Sequence, residues 1–332
     1  MKDIFSLFRS VHYSTGEMVR IRQILRPSGR MLVLPYDQFI EHDCRHLDAE
    51  SDAGNPDYIL KLAMDGGYNA VAIHYGLAKR FWSKYEGQVP LILKLNGKTG
   101  FPSQKDALSV HTSWVEDAVQ LGAVAVGYTM YYGSPAERLD LPQLARVRHF
   151  CDQYGLPLIV WAYPRGEAVD AKGGKESSYA LESAARMAVE MGASIIKSNL
   201  PKPAKPDFYD NQGVPEYYRS LEKELQSLKP EVQRDQRARR VVEAAQGVPV
   251  LFSGGEEIDE KELFANARAC INAGCVGFIF GRNMWKRSYE KALELSKCFI
   301  EMLDAAEVDI ASTRARSGGS RLVERLATEV TP

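Results

Sequence analysis

The chain has 332 residues, 45% hydrophobic and 26% charged, and a formal net charge of -1. That balance suits a soluble globular protein and argues against nucleic acid or an anionic membrane as the main partner. No apolar run approaches the roughly 20 residues that span a bilayer, and the opening MKDIFSLFRSVHYSTGEMVR lacks the apolar core and cleavage site of a signal peptide. The expected location is the cytoplasm.

Eight short apolar runs follow in order: 30–37 (RMLVLPYD), 70–75 (AVAIHY), 90–96 (PLILKLN), 123–129 (AVAVGYT), 157–164 (PLIVWAYP), 193–199 (ASIIKSN), 248–255 (VPVLFSGG) and 275–282 (CVGFIFGR). Their apolar cores do not alternate, as expected for parallel strands covered on both faces. Helix-like stretches such as SYALESAARMAVEMG and DEKELFANARACINAG separate them, ending at a glycine stop. The pattern predicts an α/β protein, a closed (β/α)8 TIM barrel in one domain over 1–306 with an N-terminal extension; an open doubly wound sheet is the alternative. The segment from Asn199 to about 235 predicts an elaborated loop after strand six, with PEYYRSLEKELQSL as a short helix. Residues 307–332 read as a polar, arginine-containing tail.

In such a barrel the chemistry sits at the C-terminal ends of the strands. That ring holds Asp37, His74, Lys94 with Asn96, Tyr128, Trp161 with Tyr163, Lys197, Ser253 with Gly254 and Gly255, and Gly281 with Arg282. Lys197 ends a buried strand, where an unpaired ammonium is costly and the neutral amine, a nucleophile, is favoured; the bland alternative is a lysine reaching water. Tyr163 ends the adjacent strand, close enough to relay a proton for a lysine that attacks a ketone, or to serve as a rim aromatic. Lys94 is a rival nucleophile or a source of charge. Asp37 suits a substrate hydroxyl, a proton relay or a helix cap. The paired turns SGG and GRN, at the ends of strands seven and eight, predict a phosphate site built from backbone N–H groups and Arg282.

The cluster EHDCRH, with His42 and His46, offers donors without a recognised metal spacing, and no metal is expected. The five cysteines (Cys44, Cys151, Cys270, Cys275 and Cys298) are odd in number and lack CxxC spacing. They predict reduced thiols.

Read together, LPYDQFIEHD, LKLNGKTG, WAYPRG, GASIIKSN, FSGGEE and GFIFGRNMW, in this order, resemble the archaeal-type class I fructose-1,6-bisphosphate aldolases, which bacteria also carry. The resemblance runs from about residue 30 to 290. It implies a (β/α)8 barrel, a homo-oligomer, a sugar-phosphate substrate, and Schiff-base chemistry with no cofactor. It further implies Lys197 as the Schiff-base lysine, Tyr163 as the proton donor and acceptor, Trp161 as a substrate contact, and Asp37 and His42 as the acid and histidine of the first loop. Ser253, Gly254, Gly281 and Arg282 fall on the sugar 1-phosphate site. Gln38, Lys94, Arg165 and Gly255 are counted with the substrate contacts. Phe39 and Asp43 stand where the family usually has glycine. The alternative substrate is another ketose phosphate handled by the same lysine chemistry, and a non-catalytic sugar-phosphate-binding barrel is the reading outside the enzymes.

Overall fold

A computed structural model describes residues 4–41, 43–44, 51–101, 105 and 107–306. Eight parallel strands form one closed sheet: β1 (Met31–Tyr36), β2 (Ala70–His74), β3 (Leu91–Lys94), β4 (Ala125–Tyr132), β5 (Leu158–Pro164), β6 (Ile195–Asn199), β7 (Val250–Ser253) and β8 (Gly277–Ile279). The ring closes where β8 returns to β1, with Met31 level with Gly277 and Val33 with Ile279. This is a (β/α)8 barrel, and the open sheet is set aside. Closure needs glycine at 277: its φ is +150, and a Cβ would meet the Met31 carbonyl oxygen at 1.8 Å.

Side chains alternate along each strand, which sorts the apolar residues into two cores. Outward-facing Leu32, Leu34, Val160 and Ile196 pack under the helices, whereas Met31, Val33, Ile159 and Ile195 fill the barrel. The N-terminal segment closes the inner core from below with Phe8, Ile21 and Ile24, all buried. Its helix Thr15–Gln23 starts at a capping box, Ser14 with Glu17. It is pinned to the foot of β6: Tyr13 Oη donates to the Ser194 carbonyl at 2.8 Å, and Ser194 Oγ donates to Glu17 Oε1 at 2.8 Å.

After β6 the expected short helix forms as Glu216–Gln226. The loop is shorter than the sequence suggested, because a second helix, Pro230–Ala244, begins at its proline. A first-turn proline loses no hydrogen bond and has the helical φ already set. The two helices are joined by a buried ion pair: Arg237 Nη2 donates to Glu222 Oε2 at 2.7 Å, and Ser178 Oγ donates to Glu222 Oε1 at 2.9 Å. The last described helix is Tyr289–Ala305; the polar tail at 307–332 lies outside the described residues. Among the described residues no helix is long and apolar enough to cross a membrane.

Candidate active site

Strand parity decides which side chains reach the mouth. On β5 the inner face runs Ile159, Trp161, Tyr163; on β6 it runs Ile195, Lys197. Trp161 and Lys197 are level in the sheet, so indole and ammonium lie side by side. Lys197 Nζ is 4.7 Å from the centroid of Trp161 and 5.5 Å from that of Tyr163. The side chain is nearly buried, 5% exposed, and has no carboxylate or hydrogen-bond acceptor among the described residues. Two aromatic faces supply its cation–π surroundings in place of a counter-ion.

Lys94 is the contrasting case. It is fully buried behind Trp161, with Nζ 5.5 Å from that ring, and every proton has an acceptor: Glu41 Oε1, the Asn96 carbonyl at 2.6 Å and Asn96 Oδ1 at 3.1 Å. Thr129 Oγ1 donates to the same Glu41 oxygen at 2.9 Å. The indole therefore separates a paired lysine from an unpaired one. Gly127 makes room for both: a Cβ there would lie 2.5 Å from Trp161 and 3.2 Å from Lys94. His74 sits beside this network; burial, then the charge of Lys94, lowers its pKa to about 4 and keeps the ring neutral.

A cavity of about 110 Å3 opens at the C-terminal ends of the strands. Asp37, Trp161, Tyr163, Arg165 and Lys197 form one side of its lining. Ser253, Gly254, Gly255, Gly281 and Arg282 form the other. Arg165 lies over the rings of Tyr163 and Tyr131, at 5.3 and 5.6 Å from their centroids, and donates to the Pro164 carbonyl at 2.7 Å. The two glycine turns are tied together, since Arg282 Nη2 donates to the Gly255 carbonyl at 2.8 Å and Asn283 Nδ2 to that of Gly254 at 3.1 Å. Gly255 has a φ of +65, a conformation that glycine adopts freely. The N–H groups of Gly254, Gly255 and Gly281 have no acceptor among the described residues.

Not every expected residue is in this cavity. Lys94 lies behind its wall. His42 is outside the described residues, as is the side chain of Gln38. Tyr128 is misplaced by the sequence reading: β4 continues to Tyr132, and Tyr128 has outward parity. Its hydroxyl donates to Asp140 Oδ1 at 2.6 Å in the helix layer. Tyr131 takes the place at the mouth, and burial holds its phenol well above the ordinary range. Glu41, Asn199 and Trp285 also line the cavity without having been anticipated. The signal for Glu41 was its spacing, four residues after Asp37: the Glu41 N–H donates to the Asp37 carbonyl at 3.0 Å in one helical turn. Phe39 turns away, packing edge-on to Tyr36 at 5.7 Å. Among the described residues, no group of three or more His, Cys, Asp or Glu is placed to hold a metal.

Residues 31–287 match the family described as DeoC/LacD family aldolase. The class 1 fructose-bisphosphate aldolase of Thermoproteus tenax is 34% identical over 282 residues, covering 85% of this chain and 92% of its own. That of Halobacterium salinarum is 26% identical over 285 residues, covering 86% of this chain and 92% of its own. A solved archaeal fructose-1,6-bisphosphate aldolase, with its catalytic lysine covalently bound to the carbinolamine intermediate of the substrate, is 32% identical with a TM-score of 0.71. That match covers 87% of this chain and 100% of the archaeal one. A closed barrel, an unpaired lysine on the inner face of β6 and a family match through all eight strands agree, and the chain belongs to the DeoC/LacD family of aldolases.

Proposed function

We propose that this protein is a class I fructose-bisphosphate aldolase, an aldehyde-lyase that reversibly cleaves fructose 1,6-bisphosphate to dihydroxyacetone phosphate and glyceraldehyde 3-phosphate. The observation that carries the reading is the unpaired Lys197, held between Trp161 and Tyr163, in one cavity with the glycine turns of β7 and β8.

Lys197 Nζ, as the free amine, adds to the ketose C2 carbonyl; Tyr163 gives its phenol proton to the carbinolamine hydroxyl, which leaves as water, so that an iminium and a phenolate result. The C3–C4 bond then breaks, its electron pair flows to the iminium to give an enamine, and the proton of the C4 hydroxyl passes to the Tyr163 oxygen as the aldehyde departs. Tyr163 returns that proton to C3 of the enamine, and water releases the second product and the amine. Asp37 engages a substrate hydroxyl. The N–H groups of Gly254, Gly255 and Gly281, with Arg282, hold the 1-phosphate, and gripping that remote group fixes the reacting carbons. Arg165, at the other side of the mouth, suits the second phosphate. No organic cofactor or metal takes part. The free cysteines fit a reducing cytoplasm, and assembly as a homo-oligomer follows the family.

Borohydride reduction with dihydroxyacetone phosphate, followed by peptide mass mapping, tests the reading. The expected adduct is on Lys197; an adduct on Lys94, or none, overturns it. Tyr163→Phe is expected to lose cleavage by about 10²–10⁴-fold while the iminium remains trappable. Cleavage rates on fructose 1,6-bisphosphate, fructose 1-phosphate and other ketose phosphates decide the substrate, and a faster rate on one of the others replaces the bisphosphate with that sugar.

A further inference from the structure

Behind the Ser253–Gly255 turn lies a second cavity of about 330 Å3, within the range of small-molecule sites. It is framed by the loops after β6 and β7 and by the helices Pro230–Ala244 and Glu260–Asn272. It shares Asn199 and the Ser253–Gly255 turn with the catalytic cavity, so these residues are a common wall. Ser253 Oγ donates to Asn199 Oδ1 within that wall.

The inner surface is apolar at Leu263 and Phe280 and cationic at Arg234 and Arg237. Arg237 is 1% exposed; both its Nη atoms bond Glu222, yet its Nε is buried with no hydrogen-bond partner. Arg234, one turn earlier and half-buried, makes no hydrogen bond or ion pair among the described residues. The carboxylates stand at the rim: Glu176 is 3.0 Å from Lys202, Glu257 is paired with Lys286, and Glu256 and Glu262 are exposed. Arg234 supplies an uncompensated guanidinium and Arg237, whose Nη atoms hold Glu222, adds its Nε–H; on one helical turn and unused by the proposed reaction, these donors suit the several acceptor oxygens of a phosphate group.

We propose that this cavity binds a small phosphorylated metabolite, with Arg234 and the Nε edge of Arg237 as its ligands, and that the bound anion sets substrate affinity through the shared wall. The binding stands independently of catalysis; the coupling rests on the Ser253–Gly255 turn holding the substrate phosphate.

Calorimetric titration of the full chain with inorganic phosphate tests the first part. Arg234→Met, a half-exposed change that spares the buried Arg237–Glu222 pair, is expected to take up one phosphate fewer per chain than the wild type, and Arg282→Met to lose a different one. Unchanged stoichiometry and affinity in Arg234→Met would overturn the site. For the coupling, the KM values of wild type and Arg234→Met are expected to coincide without phosphate and to differ at least threefold at saturating phosphate. Direct competition in the catalytic cavity is common to both proteins and cancels, so equal KM values in both conditions would remove the coupling. Binding at Arg234 in a chain that cleaves no ketose phosphate would instead sink the aldolase reading alone.

Discussion

Trp161 is held between two lysines and leaves no space at the one position opposite it that lacks a side chain. Adding a methyl in Gly127→Ala would press a carbon to within 2.5 Å of the indole. The expected result is a loss of about 1–3 kcal/mol in stability and a kcat that falls more than KM rises, read by urea unfolding and steady-state cleavage. His74 adds a pH dependence. Its folded pKa of about 4 lies below the ordinary 6.5, so the unfolded chain takes the proton first. The stabilisation is therefore complete above 6.5 and is lost as pH falls toward 4, on the order of 3 kcal/mol at most. His74→Asn is expected to flatten the urea midpoint across that window, and an unchanged slope would locate the acid sensitivity elsewhere. The positions of Lys197 and Tyr163 at the barrel mouth were legible because a polar residue near the end of an apolar strand stands out in one dimension. The spacing put Glu41 one turn after Asp37, but its pairing with Lys94 was hidden, because the two are remote in sequence and only the closed barrel brings them together. Tyr128 was misread because the apolar run was ended at Thr129, although the strand continues to Tyr132, where Gly133, Ser134 and Pro135 break it.

The helices after β6 depend on one ion pair. Glu222 and Arg237 are both buried, and removing one partner leaves an uncompensated charge on a buried side chain. Glu222→Ala is expected to cost about 3–5 kcal/mol, measured as a lowered denaturant midpoint; a cost below 1 kcal/mol would mean that water reaches the arginine. All eight strands were readable because each is a short apolar run between polar turns, whereas the inner faces were not, because runs buried on both sides show no alternation. The helix Pro230–Ala244 was harder to read. Its first turns, PEVQRDQR, carry almost no apolar stripe, since Ala238 and Val241 supply the packing later in the helix.

The N-terminal segment belongs to the barrel as much as the strands do. Phe8, Ile21 and Ile24 are sealed into the inner core, each contributing roughly 1.5–3 kcal/mol by burial. Removing residues 1–24 is expected to lower the melting temperature by several degrees and expose dye-binding surface, whereas a truncated chain melting like the full one would make the segment an ornament. The same plug has a kinetic corollary. With its floor stoppered, the chamber opens at the strand ends, and among the described residues ketose, aldehyde and hydrolytic water share that corridor. Under the proposed reaction the departures are queued: the aldehyde has to clear the passage before water reaches the lysine adduct to free the second fragment.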